Sequence, residues 1–489
     1  MEKLFKAGSQ VYFVGIKGSG VCALAELMQD AGIKVSGSDT DEVFYTDAVL
    51  KKRGIPYHEG FDSRHVSGGL DMVIHSAAYD AAANPELAEA ARLGIPLVKY
   101  PQALGLWSGR FESAGVAGVH GKTTVTALCG AIMKAAQLPA QILVGSAVAD
   151  FGGGCTLSLG NKYFVAETCE YRKHFLSFQP KNIILTAVES DHQDFFPDYA
   201  SIREAFLEYC RLLPTGGGLI YCADDAGASD VAKAAAKESP GIRLVPYGFS
   251  ADGDYRVTFY QAGEGRGVFG IAGFPGDFNI EVPGRHQALN VAGALALTSA
   301  FLEKEIASGE GGIWPGEKIQ AVKKAVENFR GSKRRSEVIG KAAGIVFMDD
   351  YGHHPSAIKT TLAGIKSFYP GRRLVASFMS HTYTRTAALF DDFAGSFGDA
   401  DIVFLHKIYA SAREKYSGGV SGKTLYEKVL GVKAGGEVFY AEEPLDAFEA
   451  LAKMLKPGDV FVTLGAGNNW PLGEKLFFHF RETEQGRGA

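Results

Sequence analysis

The stretch Ala114–Met133, AGVAGVHGKTTVTALCGAIM, decides the fold class. Its first four residues are small and apolar and read as a buried strand, Ala114–Ala117. Gly118-Val119-His120-Gly121-Lys122-Thr123-Thr124 follows, and Leu128, Ile132 and Met133 then recur at helical spacing. A glycine-rich turn between a strand and a helix is the setting of a phosphate-binding loop. Glycines let backbone N–H groups approach phosphate oxygens, and the helix N-terminus adds partial positive charge. Lys122 can reach the β and γ oxygens, and the Thr123 hydroxyl can ligate Mg²⁺. The usual pattern has Gly five residues before Gly121, where this chain has Val116. A bare glycine turn is the alternative, but strand, helix, Lys and Thr together favour a nucleotide.

Working outward, strand and helix patterns alternate in both directions. Upstream, Val11–Ile16 reads as a strand, 21–31 as a helix, Lys34–Gly37 as a strand ending near Asp39, and Met72–His75 as another. A break falls around Trp107–Glu112. Downstream, strands are expected at Tyr163–Ala166, Ile183–Val188 and Leu219–Cys222, hairpins over 251–283, and a helix from Ala288 to Phe301. Near Arg330 a third unit begins, with strands at Ile345–Met348, Leu374–Phe378, Ile402–Leu405 and Val460–Leu464. Such β-α-β alternation predicts parallel sheets, hence an α/β protein. The polar end, RETEQGRGA, reads as frayed.

The 489 residues suggest about three domains. With 46% apolar and 21% charged residues, wholesale disorder is excluded. A net charge of 50 − 55 = −5 gives no pull towards nucleic acid or acidic membranes. No signal peptide or apolar run of membrane-spanning length stands out. Six cysteines without a CxxC pair fit reduced, mostly buried thiols, so a cytoplasmic location is expected.

Further motifs sit where strands end. Gly18-Ser19-Gly20-Val21-Cys22-Ala23 fits GxGxxG/A, with Asp39 about 20 residues on to bond a ribose hydroxyl. Alone this says dinucleotide, but a nucleoside diphosphate-sugar meets the same physical requirement. Glu167 and the run Glu189-Ser190-Asp191-His192 follow strands, and Glu167 and His192 can supply Mg²⁺ ligands. Asp349-Asp350-Tyr351-Gly352-His353-His354-Pro355 follows another strand and lacks zinc-ligand spacing. Arg385, in His381-Thr382-Tyr383-Thr384-Arg385, can grip a carboxylate or phosphate bidentately, and Arg334 and Arg335 are further candidates for an anion clamp. For each of these the plain alternative is a solvated loop.

At this point the chain resembles the Mur ligases. The likeness runs from about Val11 to Trp470 and rests on nine motifs in order. These are FVGIKGSG (13–20), GVHGKTT (118–124), AETCEYRKHFL (166–176), ESDHQDFF (189–196), GRHQALN (284–290), KRRSEVIG (333–340), DDYGHHPSAIK (349–359), HTYTRT (381–386) and LGAGNNW (464–470). The resemblance implies a Rossmann-like UDP-sugar-binding domain over 1–110, a central P-loop ATP-binding domain over 111–328 and a C-terminal Rossmann-like α/β domain over 329–489 that closes over both and admits an amino acid. Within the family it points to the branch that joins L-alanine to UDP-N-acetylmuramate through an acyl phosphate, with ATP and Mg²⁺ as cofactors. A monomer or homodimer in the cytoplasm, without nucleic-acid or membrane partners, is expected.

Carried over residue by residue, Lys122 resembles the lysine that stabilises the transferring phosphoryl group. Thr123 and Glu167 resemble ligands of the ATP-linked Mg²⁺, and His192 the ligand of a second. Gly118–Thr124, His286 and Asn290 match the nucleotide site, which Asp349 and Asp350 reach from the C-terminal domain. Tyr351, His353 and Arg385 match the face where alanine meets the muramyl carboxylate, and Glu170 stands on the substrate side. Gly18, Ser19, Gly20, Asp39, His75 and Ser76 fall in the UDP-sugar loops. Four departures stand out: Lys17 and Val21 in the first loop, Thr168–Arg172 where ADESD is common, Thr382 where Arg is common, and Asn468 in place of Asp. No Lys lies between His192 and Ala232, which favours the alanine-adding type over later Mur ligases, which carry a modified lysine there. The alternatives are a ligase joining a whole murein tripeptide to the same UDP-sugar, an NAD-dependent oxidoreductase read from Gly18–Ala23 alone, and an ATP-gated regulator without catalysis.

Overall fold

Four buried residues after one exposed glutamine make Gln10–Val14 (β1) a strand covered on both faces, as parallel sheets require. The structure, a computed structural model, describes residues 5–192, 195–263, 265–305, 314–410, 414, 418–433 and 435–486. They fall into two compact units: Met1–Glu189 with Ile202–Arg256 and Asn290–Ala325, and Ser190–Ser201 with Val257–Leu289 and Val326–Ala489.

In the first unit, β1 is followed by Ser19–Asp30 (α1), Lys34–Asp39 (β2), Tyr45–Arg53 (α2), Tyr57–Glu59 (β3), Met72–His75 (β4), Pro85–Arg92 (α3), Leu97–Lys99 (β5) and Tyr100–Ser108 (α4). The five strands form a parallel sheet in the order β3-β2-β1-β4-β5. Its order reverses between β1 and β4, so a crevice opens there at the strand C-termini, beside Gly18 and His75. The expected strand Val11–Ile16 ends at Val14, because Gly15 takes φ 84° and starts the turn. The expected break around Trp107–Glu112 falls between α4 and the next strand. Trp107 lies inside α4, fully buried, and its indole N–H donates to Gln141 at 3.1 Å. Only 109–111 separate α4 from the next strand.

That strand, Glu112–Ala117 (β6), leads through the glycine loop into Lys122–Ala135 (α5). Ala140–Leu143 (β7), Thr156–Ser158 (β8), Tyr163–Glu167 (β9), Asn182–Leu185 (β10), Tyr199–Cys210 (α6), Gly218–Cys222 (β11), Ala226–Glu238 (α7) and Arg243–Tyr247 (β12) follow. The sheet order is β12-β11-β10-β6-β9-β7-β8, parallel except for β8. The glycine loop therefore emerges between the ends of β9 and β10. Glu26 of α1 joins the two sheets: buried, it accepts from the Thr156 hydroxyl at 3.2 Å and pairs with Arg53 at 3.2 Å.

The predicted hairpins are Val257–Gly263 (β13), Arg266–Ile271 (β14) and Phe278–Ile280 (β15), an antiparallel sheet in the second unit. His286–Glu305 (α8) and Gly316–Asn328 (α9) come next. The last sheet runs Glu337–Ala342 (β16), Ile345–Asp350 (β17), Arg373–Phe378 (β18), Ile402–Leu405 (β19), Glu437–Tyr440 (β20) and Asp459–Leu464 (β21). Its order is β16-β17-β21-β18-β19-β20, with only β16 antiparallel. Helices Pro355–Phe368 (α10), Tyr383–Ala388 (α11), Phe390–Ala394 (α12), Gly422–Val432 (α13), Phe448–Met454 (α14) and Trp470–Gly486 (α15) connect or flank these strands. The expectation of a frayed end is corrected for 481–486, which are helical; 487–489 lie outside the described residues.

Candidate active site

The phosphate loop is built by its neighbours. Gly118 has φ 134°, and a Cβ there would fall 2.1 Å from the Thr186 hydroxyl, so only glycine fits. Thr186, just after β10, lies between the carbonyls of Ala117 and His120 and clamps the loop. The Val119 N–H donates to Ala187 at 2.9 Å, and His120 pairs with Glu189. Gly121 precedes α5, so the first N–H groups of that helix face the loop. A Cβ at Gly121 would stand 3.3 Å from the Asn290 side-chain oxygen, which places Asn290 at the loop.

Lys122 is the charge at the centre. Its ammonium sits 3.0 and 3.1 Å from the two Glu170 oxygens and also bonds the Gly118 carbonyl. Burial works against this charge, but Glu170 and nearby Glu167 hold the lysine above its usual range. Glu170, expected on the substrate side, thus has both oxygens on Lys122. The Thr123 hydroxyl donates to Glu167 at 3.2 Å, and the other Glu167 oxygen accepts from the Gly145 N–H at 2.9 Å. Two oxygen donors side by side next to a helix N-terminus fit a hard divalent cation bound with a nucleotide. Thr124 is buried beside them.

At the first sheet, Gly18 precedes α1 without a side-chain cap, and Ser19 and Gly20 form its first turn. Asp39 ends β2. One of its oxygens accepts from the Lys17 N–H at 2.7 Å, the other from the Thr40 N–H at 2.9 Å and the Tyr79 hydroxyl at 3.3 Å. His75 ends β4; its Nδ1 donates to the Ser76 carbonyl at 3.0 Å, and burial pushes its pKa down.

The second unit gathers residues the sequence holds far apart. Arg385 is buried, and its Nη2 and Nε donate to one Asp191 oxygen at 2.8 and 3.2 Å. Burial disfavours the Asp191 charge, but the paired Arg385 guanidinium holds the carboxyl far below its usual range. The His381 ring lies 6.3 Å from that of His353, which is 5.3 Å from Tyr351. Arg334 and Arg335 stack on Tyr351 at 5.1 and 4.9 Å. Burial and then Arg385 push His353 well below the usual histidine range and His381 to about 4, so both rings are neutral. His353 Nδ1 stands 2.9 Å from the Tyr351 carbonyl, which only accepts, so Nε2 carries the lone pair.

Asp349 and Asp350 are spent within their own unit. Asp349 accepts from Arg334 at 2.8 Å and Thr463 at 2.6 Å; Asp350 accepts from the N–H groups of Ser336 and Gly352. His286, the first residue of α8, is half-buried, with its Nδ1 buried and unpartnered among the described residues, and desolvation lowers its pKa. Of the eight non-glycine residues with positive φ among the described residues, six lie in the quoted motifs: Arg172, Lys173, His192, Arg334, Ser336 and Thr382. Strain of this kind concentrates at working sites rather than in solvated loops.

Three domain families match the chain: the Mur ligase family catalytic domain over residues 10–112, the Mur ligase middle domain over 116–298, and the Mur ligase glutamate ligase domain over 334–467. The UDP-N-acetylmuramate–L-alanine ligase of Treponema pallidum (strain Nichols) is 48% identical over 476 residues, 97% of this chain and 98% of that protein. The chain belongs to the Mur ligase family.

The protein of the same name from Borreliella burgdorferi is 36% identical over 96% of this Mur ligase and 98% of its own length. The solved UDP-N-acetylmuramate-alanine ligase of Thermotoga maritima shares the three-domain fold, with a TM-score of 0.75 at 22% identity over 97% of this chain and 99% of that one. The murein peptide ligase of Psychrobacter arcticus gives 0.64 at 22%, over 97% and 99%. Family membership leaves the oxidoreductase reading of Gly18–Ala23 without support. The departure at Lys17 has a structural account in this Mur ligase. Its buried ammonium bonds the carbonyls of Thr40 and Glu42 at 2.9 and 3.0 Å and pairs with Asp47 at 3.1 Å, fastening the segment after β2 to the first loop.

Proposed function

We propose that this Mur ligase joins L-alanine to the lactyl carboxylate of UDP-N-acetylmuramate, converting ATP to ADP and phosphate and making a peptidoglycan precursor. One observation carries the reading. In a chain 48% identical over 97% of its length to a UDP-N-acetylmuramate–L-alanine ligase, Lys122 stands at a helix N-terminus held by Glu170, beside the Thr123–Glu167 oxygens. In this reading 1–110 bind the UDP-sugar, 111–328 bind ATP, and 329–489 supply the amino-acid side.

A carboxylate oxygen of the lactyl group attacks the γ-phosphorus, and ADP leaves with the bridging oxygen. Lys122 and the N–H groups of the Gly118–Thr124 loop neutralise the equatorial oxygens as charge spreads over them. Asn290 and His286 serve the nucleotide. Thr123 and Glu167 would hold Mg²⁺, and His192 a second ion; the metal supplies charge neutralisation on the phosphate oxygens. The amine of alanine then attacks the acyl carbon, the C–N bond forms and phosphate departs. His353 offers its Nε2 lone pair to the amine N–H, and Arg385, positioned by Asp191, steadies the developing oxyanion. Gly18, Ser19, Gly20, Asp39, His75 and Ser76 line the UDP-sugar crevice.

Lys122→Ala tests the assignment. Turnover falls by at least roughly a thousandfold, while calorimetry still records UDP-N-acetylmuramate binding near the wild-type affinity. A variant that kept most of its activity would show that Lys122 does not serve the transferring phosphoryl group.

A further inference from the structure

Tyr100 lies outside every motif that pointed to the reaction, yet it faces the same crevice. It opens α4 directly after β5, so it stands at the strand C-termini with the first glycine loop, Asp39 and His75. Its hydroxyl rests on the first turn of α1: a Cβ at Gly20 would come within 2.5 Å of that oxygen. The N-terminus of α1, twelve residues long, has no side-chain cap, so its leading N–H groups are unclaimed by side chains. Glu167, assigned above to the metal, leads the charged groups that act on the phenol, and burial keeps the phenol protonated.

What the hydroxyl lacks is a partner. Three phenols on and beside the first sheet find an oxygen: Tyr12 donates to Glu86 at 3.0 Å, Tyr57 to Asp47 at 2.7 Å and Tyr79 to Asp39 at 3.3 Å. Among the described residues, the Tyr100 hydroxyl makes no hydrogen bond. A half-buried, protonated donor that no described protein group claims, beside an uncapped helix N-terminus, is placed to meet an anion arriving in the crevice.

We infer that the Tyr100 hydroxyl is a substrate contact that donates a hydrogen bond to an anionic oxygen of the bound UDP-sugar. Two oxygens of that substrate have the right chemistry, the pyrophosphate and the lactyl carboxylate. The inference rests on the proposed function for the identity of the sugar nucleotide. Tyr100→Phe removes one oxygen and leaves the ring on Gly20.

The test is calorimetric binding of UDP-N-acetylmuramate, and of UDP-N-acetylglucosamine, which has the pyrophosphate but no lactyl carboxylate, to the wild-type enzyme and to Tyr100→Phe. Losing a hydrogen bond to a charged group is expected to weaken UDP-N-acetylmuramate binding about ten- to a hundredfold. KM for ATP and the thermal midpoint should stay unchanged, which separates a lost contact from a damaged fold. An equal loss for both nucleotides assigns the bond to the pyrophosphate, and a loss for the muramate alone assigns it to the carboxylate. Unchanged binding of UDP-N-acetylmuramate overturns the inference. A wild-type enzyme that binds neither nucleotide would instead count against the proposed function.

Discussion

Glu167 shows how one side chain can be fixed before its ligand arrives. Its two oxygens already accept from Thr123 and from the Gly145 N–H, so the carboxylate has a set orientation. Glu167→Gln keeps this shape and removes the charge. The Mg²⁺ concentration for half-maximal rate should then rise by about tenfold or more, as for lost metal-site partners elsewhere; an identical Mg²⁺ titration would remove Glu167 from the ligand set. Lys122 and Thr123 could be singled out because strand, loop and helix are contiguous in sequence, and Glu167 because it stands at the end of an apolar strand. Asp191 was not assigned, although it stands beside His192 in a quoted motif. Its partner Arg385 is 194 residues away, and only the folded chain joins them. Thr186 and Tyr100 were missed for the same reason: each acts across a sheet edge on a loop from another strand.

The elements of the C-terminal sheet follow from alternation. Val346 and Met348 of β17 face one core, while Ile345 and Phe347 face the other. Phe347 touches the rings of Phe461, Phe477 and Phe480. Phe347→Ala should destabilise the protein by about 3–5 kcal/mol, read from the shift of a denaturant midpoint. A loss below about 1 kcal/mol would mean that the site collapses around the smaller side chain. His406, after β19, is held between the Ser377 hydroxyl at 2.8 Å and the Ala441 carbonyl at 3.0 Å, and burial pushes it to about 4. The unfolded chain takes up this proton near pH 6.5, the folded one only near 4, so stability is lost as pH falls through that window. At pH 5 the loss is on the order of 2 kcal/mol. Buried Glu26 and half-buried Asp225, both raised by desolvation, act with the opposite sign, so the test is differential. His406→Gln should lose less thermal stability between pH 7 and pH 5 than the wild type. Equal losses would contradict the assignment.

At the scale of the whole chain, parallel α/β sheets and the order of motifs were readable because βαβ units are written locally. Strand ends were readable to within a few residues, as at Ile183–Val188, where the ladder stops at Leu185 and 186–188 turn to serve the phosphate loop. The allegiance of 190–201 was not readable. This short run parts from the sheet that precedes it and belongs to the second unit, where Asp191 meets Arg385. The family places the chemistry, and the amine remains the finest part of the account. The most direct measurement is ADP release with ATP, Mg²⁺ and UDP-N-acetylmuramate, adding L-alanine, other amino acids or the murein tripeptide in turn. The account predicts release that requires both the UDP-sugar and L-alanine. Release with the tripeptide while L-alanine stays inert would contradict it.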